Sequence, residues 1–334
     1  MVTIADVARH AGVSISTVSY VLSGKRSISA ETEGRVRAAI RHLGYRPNAG
    51  ARALASSRSN VIALAVPLRS DMYLPVLMEF VTGVVTAARA HEHDVLLLTQ
   101  DEGADGLRRV AGSALADAVI VMDVQQHDPR LEVLRGLRRP SALIGVPADP
   151  AGLTCVDLDF AASAAVCAGH LADLGHRRLG FVGPPEPVYA RGTSFARRAL
   201  AGFTDEVRRR SLTGAGTACT PNYPGVRRAL DDLRARVPGL TGLVVHNEEA
   251  LPVLLDVLHA DGLAVPGDLS LTAICPDQQA ASLAVPVTAV AIPAARLAAD
   301  AVDAVMRELD GVPDRSVRLR APELRVRASS GPVT

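Results

Sequence analysis

Cysteine is scarce in this chain and poorly spaced for chemistry. Cys155, Cys167, Cys219 and Cys275 form no CxxC pair. That excludes the zinc ribbons and redox dithiols built on such spacing and leaves four reduced thiols packed as small apolar residues. Cys275 alone falls where a sensing thiol would be useful, yet packing is the plainer role. His91 and His93 form an HxH pair between a helix and a strand, with no third ligand near enough in sequence to hold zinc, so a surface loop is expected. There is no Walker loop, and Gly214-Ala-Gly216 lacks the rest of a dinucleotide fingerprint. No catalytic set, metal or cofactor is expected. Lysine occurs once, at Lys25, so arginine carries nearly all the positive charge, a bias that reflects GC-rich coding. Residue 2 runs straight into a capped helix, so no leader is expected. The uncharged stretch from Gln278 to Ala295 is interrupted by Pro286 and Pro293, which makes it a buried core segment rather than a membrane span. These absences point to the cytoplasm.

What is present is uneven in charge. Residues 1–60 carry nine cations against three anions, a net +6, and the remaining residues carry −5, so the overall +1 conceals a basic head on an acidic body. Phosphate is the expected partner of the head.

Caps and periods organise that head. Thr3 stands three residues before Asp6, a spacing that caps a helix and puts a carboxylate in its positive first turn. Ile4, Val7, Ala8 and Ala11 recur at helical spacing, Gly12 ends the helix, and Ser14 caps a second one through Leu22. A third helix opens at Ser29 with Glu31 and Glu33 in its first turn. It carries Val36, Ile40 and Leu43 on one face and stops at Gly44. A three-helix bundle serving only protein contacts is the alternative, and the charge disfavours it.

The run Ile4-Ala-Asp-Val-Ala8, then Ala11-Gly-Val-Ser14, Thr17-Val-Ser19, Gly44-Tyr-Arg-Pro-Asn48 and Arg52-Ala-Leu54 resembles the lactose-repressor (LacI/GalR) family of bacterial regulators. The match is ordered and gap-free over residues 2–59 and weaker beyond. The resemblance implies a helix-turn-helix domain over 1–46, a hinge helix and linker over 47–59, and a two-lobed, periplasmic-binding-protein-like domain with parallel sheets over 60–334 that binds an effector and dimerises. It implies a transcriptional repressor that binds a double-stranded DNA operator as a homodimer or higher assembly. Ile15, Ser16 and Tyr20 would read bases in the major groove, and Ser14, Thr17 and Ser19 would face phosphates. Tyr20 departs from the arginine most members carry there, so the operator cannot be copied from relatives. Asn48 caps an alanine-rich stretch, Ala49 to Ala55, too short to be helical alone. In the family this stretch folds on DNA and wedges a leucine into the minor groove; here that residue is Leu54, flanked by Arg52 and Arg58. A core leucine is the alternative.

Beyond Ser59 the chain alternates β-rich runs with helical stretches: Val61 to Val66, Val95 to Thr99, Ala118 to Met122 and Ala142 to Val146, then Leu179 to Val182, Leu243 to His246 and Leu269 to Cys275. This is the pattern of βαβ units and parallel sheets, and its length suits two α/β lobes. Crossovers between the lobes are expected near 160, 290 and 320, as in the family.

Ligands of open α/β sheets bind at the carboxyl ends of strands. That rule selects Arg69, Asp71, Tyr73 and Asp123 in the first lobe. In the second it selects Tyr189, Arg191, Arg197, Asn247, Glu248, Asp277 and Gln278, with a solvated loop residue as the alternative for each. Sugar-sensing members carry an arginine where this chain has Ala199, three residues before Gly202-Phe203, and a Gly-Phe-Asp-Asp where it has Ala273-Ile-Cys-Pro276. Both changes remove partners for sugar hydroxyls, so an effector other than a neutral hexose or pentose is expected, polar or charged in character. Three function classes remain: an effector-controlled repressor, a ligand-independent DNA-binding or architectural protein with a degenerate cleft, and an enzyme or solute-binding protein with a borrowed head. The first is favoured.

Overall fold

The computed structural model describes residues 2–23, 26–45, 58–69, 71–100, 102–113 and 115–333. Two compact units result, 1–59 and 60–334.

Among the described residues the head has α1 (Ile4–Ala11), α2 (Ile15–Ser23) and α3 (Ala30–Leu43). Thr3 and Asp6 form a full capping box at the start of α1, and the Thr3 bonds hold the Asp6 carboxyl below its ordinary pKa. Gly12 and Gly44 end α1 and α3 in the left-handed region, at φ 66° and 61°. Ser29 Oγ accepts from Thr32 N to cap α3. Val7, Ala8, Ala11, Val18, Val36 and Ala39 form the small buried core, and Tyr45 closes it.

The larger unit has two sheets. The first runs β11-β5-β4-β3-β1-β2 and is wholly parallel. Its strands are β1 (Val61–Ala65), β2 (Asp94–Leu98), β3 (Ala118–Val121), β4 (Ser141–Ile144), β5 (Cys155–Leu158) and β11 (Val317–Arg320). The second runs β12-β10-β9-β8-β6-β7, from β6 (Arg178–Gly183), β7 (Thr213–Ala218), β8 (Gly242–Val245), β9 (Ser270–Cys275), β10 (Thr288–Ala291) and β12 (Leu324–Arg325). Only β12 is antiparallel. The chain passes between lobes after β5, after β10 and after β11, where sequence placed the crossovers. Central strands such as β3, β4 and β9 are buried throughout, which is why they read as continuous apolar runs rather than alternating ones.

The flanking helices are α4 (Leu74–Ala90), α5 (Gly103–Gly112), α6 (Leu131–Gly136) and α7 (Phe160–Asp173), then α8 (Glu186–Ala190), α9 (Ser194–Arg209) and α10 (Tyr223–Arg236), and last α11 (Ala250–Ala260), α12 (Asp277–Ser282) and α13 (Ala294–Leu309). The Gly202-Phe203 pair has a packing origin. A Cβ at Gly202 would lie 2.1 Å from Ala161 O, so only glycine lets α9 approach α7 this closely, while Phe203 is buried against Phe181 at 5.3 Å between ring centroids. Strand β7 was not expected from sequence. Its Gly214-Ala-Gly216 lies under α9, where a Cβ at Gly216 would meet Leu200 Cδ1 at 2.5 Å. His93 also differs from expectation: it is buried, with Nδ1 2.6 Å from His91 O, rather than part of a surface loop. All four cysteines are buried, and burial raises each thiol above its ordinary range. Among the described residues no helix is long and apolar enough to cross a membrane.

Candidate functional site

On the head, Ser14 Oγ accepts from Thr17 N at 3.1 Å and so caps α2. The same hydroxyl lies 2.8 Å from both Ser16 Oγ and Thr17 Oγ1. Three hydroxyls therefore gather at the first turn of a helix, where backbone N–H groups and the dipole favour anions. Ser14, Ile15 and Ser16 are exposed, Ile15 to 51%, and Thr17, Ser19 and Tyr20 are half-buried. The Arg26 guanidinium stands 5.9 Å from the Tyr20 ring centroid, within cation–π range. A guanidinium thus accompanies position 20 although the residue there is tyrosine. Asn48, Arg52 and Leu54 lie outside the described residues.

In the larger unit, a cavity of about 170 Å³ lies between the lobes at the carboxyl ends of the strands. The first lobe supplies the loop after β1 and the start of α4, including Asp71, Tyr73 and Phe80, with Met122 to Val124 after β3. The second supplies Val188, Arg191 and Phe195 around α8 and α9, and His246 to Glu249 after β8. Gly145 completes the floor after β4: at φ 132°, and with Val124 Cβ only 2.8 Å from where its own would stand, it admits no side chain. Phe160, Phe195 and His246 form an aromatic cluster, with His246 5.2 Å from Phe160 and 5.6 Å from Phe195.

Most polar groups at this cavity are already paired. Arg191 Nη1 donates to Asp71 Oδ2 at 2.5 Å, an ion pair that spans the two lobes. Arg69 pairs with Asp123, whose backbone is left-handed at φ 53°. Asn247 Nδ2 donates to Gly183 O at 3.0 Å and Cys219 O at 2.8 Å, and its Oδ1 accepts from Ala250 N at 3.1 Å. Three of its four hydrogen-bonding capacities are therefore spent on joining β6, β7 and α11. Next to the ion pair, the lobes are also joined through main chain. Gln126 N donates to Gly192 O at 2.8 Å and Ser194 N to Val124 O at 2.9 Å, around an antiparallel bridge between Gln125 and Thr193.

Of the residues selected from sequence, Asp71, Tyr73, Asp123, Arg191, Asn247 and Glu248 line the cavity, and Arg69 supports it through Asp123. Arg197 and Asp277 are not brought there. Arg197 bonds Tyr189 O at 2.8 Å on an outer face, and Asp277 is clamped by Arg325 and Arg327. Sequence reasoning missed Asp157, His246 and the aromatic cluster. Arg198, not Arg197, is the guanidinium that reaches this wall: its Nη1 donates to Asp157 Oδ2 at 2.7 Å. Burial pushes the Asp157 carboxyl up to about 7 against the pull of Arg198. Burial likewise pushes Glu248 up to about 7 and His246 down to about 3, so the imidazole is neutral. His246 Nδ1 and Arg191 Nε are buried without a hydrogen-bond partner. The usable signal for His246 was its place at the carboxyl end of an apolar strand.

A helix-turn-helix head joined to two α/β lobes with a cavity at their strand ends defines a DNA-binding transcriptional regulator. The comparisons with known proteins agree. Residues 3–48 match the model for bacterial regulatory proteins of the lacI family, and residues 168–330 match a periplasmic binding protein-like domain. The HTH-type transcriptional regulator AglR of Rhizobium meliloti (strain 1021) is 30% identical over 351 residues, spanning 99% of this chain and 95% of AglR. Catabolite control protein A of Staphylococcus aureus (strain MRSA252) is 27% identical over 276 residues, 81% of each chain. Among solved structures, the lac repressor dimer bound to operator and the anti-inducer ONPF aligns with a TM-score of 0.84 at 21% identity over 99% of both chains. The transcriptional regulator CelR in complex with cellobiose aligns at 0.68 and 24% identity, over 98% of this chain and 100% of CelR. The chain belongs to the LacI family. These relatives are regulators, not enzymes.

Proposed function

We propose that this protein is a cytoplasmic repressor that binds a two-fold operator as a homodimer and is controlled by a small molecule held in the interlobe cavity. The observation that carries the DNA half is the exposed first turn of α2. Clustered Ser14, Ser16 and Thr17 hydroxyls suit phosphate and base edges, and exposed Ile15 suits a thymine methyl. Leu54 serves as the minor-groove wedge, with Asn48 and Arg52 at the hinge around it. The lac repressor structure, a dimer on operator, supports the assembly. The CelR complex with cellobiose supports ligand control as a property of the fold. A ligand-independent architectural role is disfavoured by the cavity itself, an interlobe space of about 170 Å³ lined by Phe80, Phe160 and Phe195.

Footprinting with the full chain on selected DNA should give a protected, pseudo-palindromic site whose halves are about one helical turn or a multiple apart. The fragment 60–334 should give none. Equal binding by that fragment would defeat the assignment.

A further inference from the structure

The interlobe cavity has few groups for a sugar and many for a ring. A pyranose brings about five hydroxyls, and each one buried without a partner costs about 1–3 kcal/mol. Here the carboxylates of Asp71, Asp123 and Asp157 are held by Arg191, Arg69 and Arg198, and both amide hydrogens of Asn247 are held by backbone carbonyls. Among the described residues that line the cavity, the polar atoms that stand buried and unpartnered are His246 Nδ1 and Arg191 Nε, and half-buried Glu248 lines the same cavity. Tyr73, half-buried, and Glu249, exposed, add a hydroxyl and a carboxyl to the lining, and most of what remains is hydrocarbon. Phe160 and Phe195 stand 5.6 Å apart at a 42° tilt, and Phe80, Val76 and Ile292 face the same space. The volume, about 170 Å³, is close to that of an apolar cavity known to take one benzene ring and below the ~300 Å³ at which drug-sized pockets begin. Among the described residues the guanidiniums near the wall are each matched by a carboxylate, so they offer no unmatched cation to an anionic ligand.

We propose that the effector is an uncharged molecule built on one aromatic ring with one or two hydroxyl or amino substituents. The ring packs among Phe80, Phe160 and Phe195, and a substituent bonds His246 Nδ1 and the Glu248 carboxyl. The inference rests on the cavity being the effector seat. It changes the expectation from sequence: the missing sugar partners are replaced by apolar surface, not by free charge. Neutral His246 suits this ligand, since an imidazole held down to about 3 meets a phenol or amine as a hydrogen-bond partner and not as a cation.

The test titrates the full-length protein with phenol, 4-hydroxybenzyl alcohol and 4-aminophenol in one arm and glucose, maltose and cellobiose in the other. Heat, melting temperature and operator affinity are read for each. At least one ring compound should bind, raise the melting temperature and change operator affinity, as a ligand selective for the native state must do. Val76→Phe, which fills the cavity from a half-buried position, should weaken that binding at least about tenfold. His246→Phe keeps the ring packing and removes the nitrogen. It should weaken binding of the hydroxyl-bearing compounds by about the same factor, and its melting curve reports whether it folds. No response to any ring compound overturns the proposed class. A sugar response abolished by Val76→Phe overturns the class but leaves the cavity as the effector seat. A response that survives Val76→Phe puts the seat elsewhere and overturns both.

Discussion

The head and the body handle polar side chains in opposite ways. On α2, among the described residues, the hydroxyls of Ser14, Ser16 and Thr17 bond to one another and to the first helical turn, with Ser14 and Ser16 exposed and Thr17 half-buried. In the body, polar groups at the cavity are committed to partners far away in sequence: Arg191 to Asp71, 120 residues apart, and Asn247 to Gly183 O, 64 residues apart. A surface meant for DNA leaves its groups available, because phosphates and base edges supply the missing partners. An interior must settle most of its own hydrogen bonds. Of the few buried atoms it leaves open among the described residues, His246 Nδ1 and Arg191 Nε belong to residues that line the cavity.

Five variants break or sharpen this contrast. Asn247→Ala should have the largest effect, a loss of about 2–4 kcal/mol in denaturant unfolding, since the buried Gly183 and Cys219 carbonyls lose a donor together. Arg197→Ala, on an outer face, should leave both stability and ligand response within error of wild type. If Asn247→Ala unfolds like wild type and loses only its ligand response, the asparagine is a ligand contact and the contrast weakens. Tyr20→Arg should come next, moving operator preference toward a guanine at one base pair per half-site by about 1–3 kcal/mol. Comparing motifs selected by the two proteins checks it, and Arg26→Ala tells whether the guanidinium over the Tyr20 ring already contributes to that reading. An unchanged motif in Tyr20→Arg places position 20 off the base edges.

The smallest effect concerns pH. Because the folded Glu248 carboxyl is raised from 4.5 to about 7, its contribution favours folding most at low pH and is lost as pH rises through that window. Thermal melts of Glu248→Gln should therefore lack this part of the downward trend between about pH 4.5 and 7 seen in wild type. Asp157 titrates in the same range with the same sign, so the difference between the two proteins carries the information rather than either slope alone. Parallel curves would mean that Glu248 is ionised and solvated.

Legibility followed the range of the interactions. The capping box at Thr3, the stops at Gly12 and Gly44 and the cap at Ser14 depend on residues three or four apart, and all were readable. The alternation of strands and helices, and the crossovers, were also readable from periodicity and length. The destination of each guanidinium was not. Arg197 and Arg198 are neighbours of the same type, and only the phase of α9 sends one outward to Tyr189 O and the other inward to Asp157. Asp277 looked like a pocket acid until the C-terminal segment brought Arg325 and Arg327 onto it. β7 was hidden because its glycines carry no hydrophobic signal and are set by the helix above them.

The closure beside the Asp71–Arg191 pair is made largely of main chain, through Gln126 to Gly192 and Ser194 to Val124. Such a fastening asks little of side-chain identity except at Gly192, whose φ of 73° favours glycine, so substitutions elsewhere along it need not loosen it. The cavity wall is then free to change its chemistry over evolutionary time while the two lobes keep meeting at the same place. A family with one mechanical plan can in this way acquire a new signal molecule one residue at a time, without passing through a form that no longer closes.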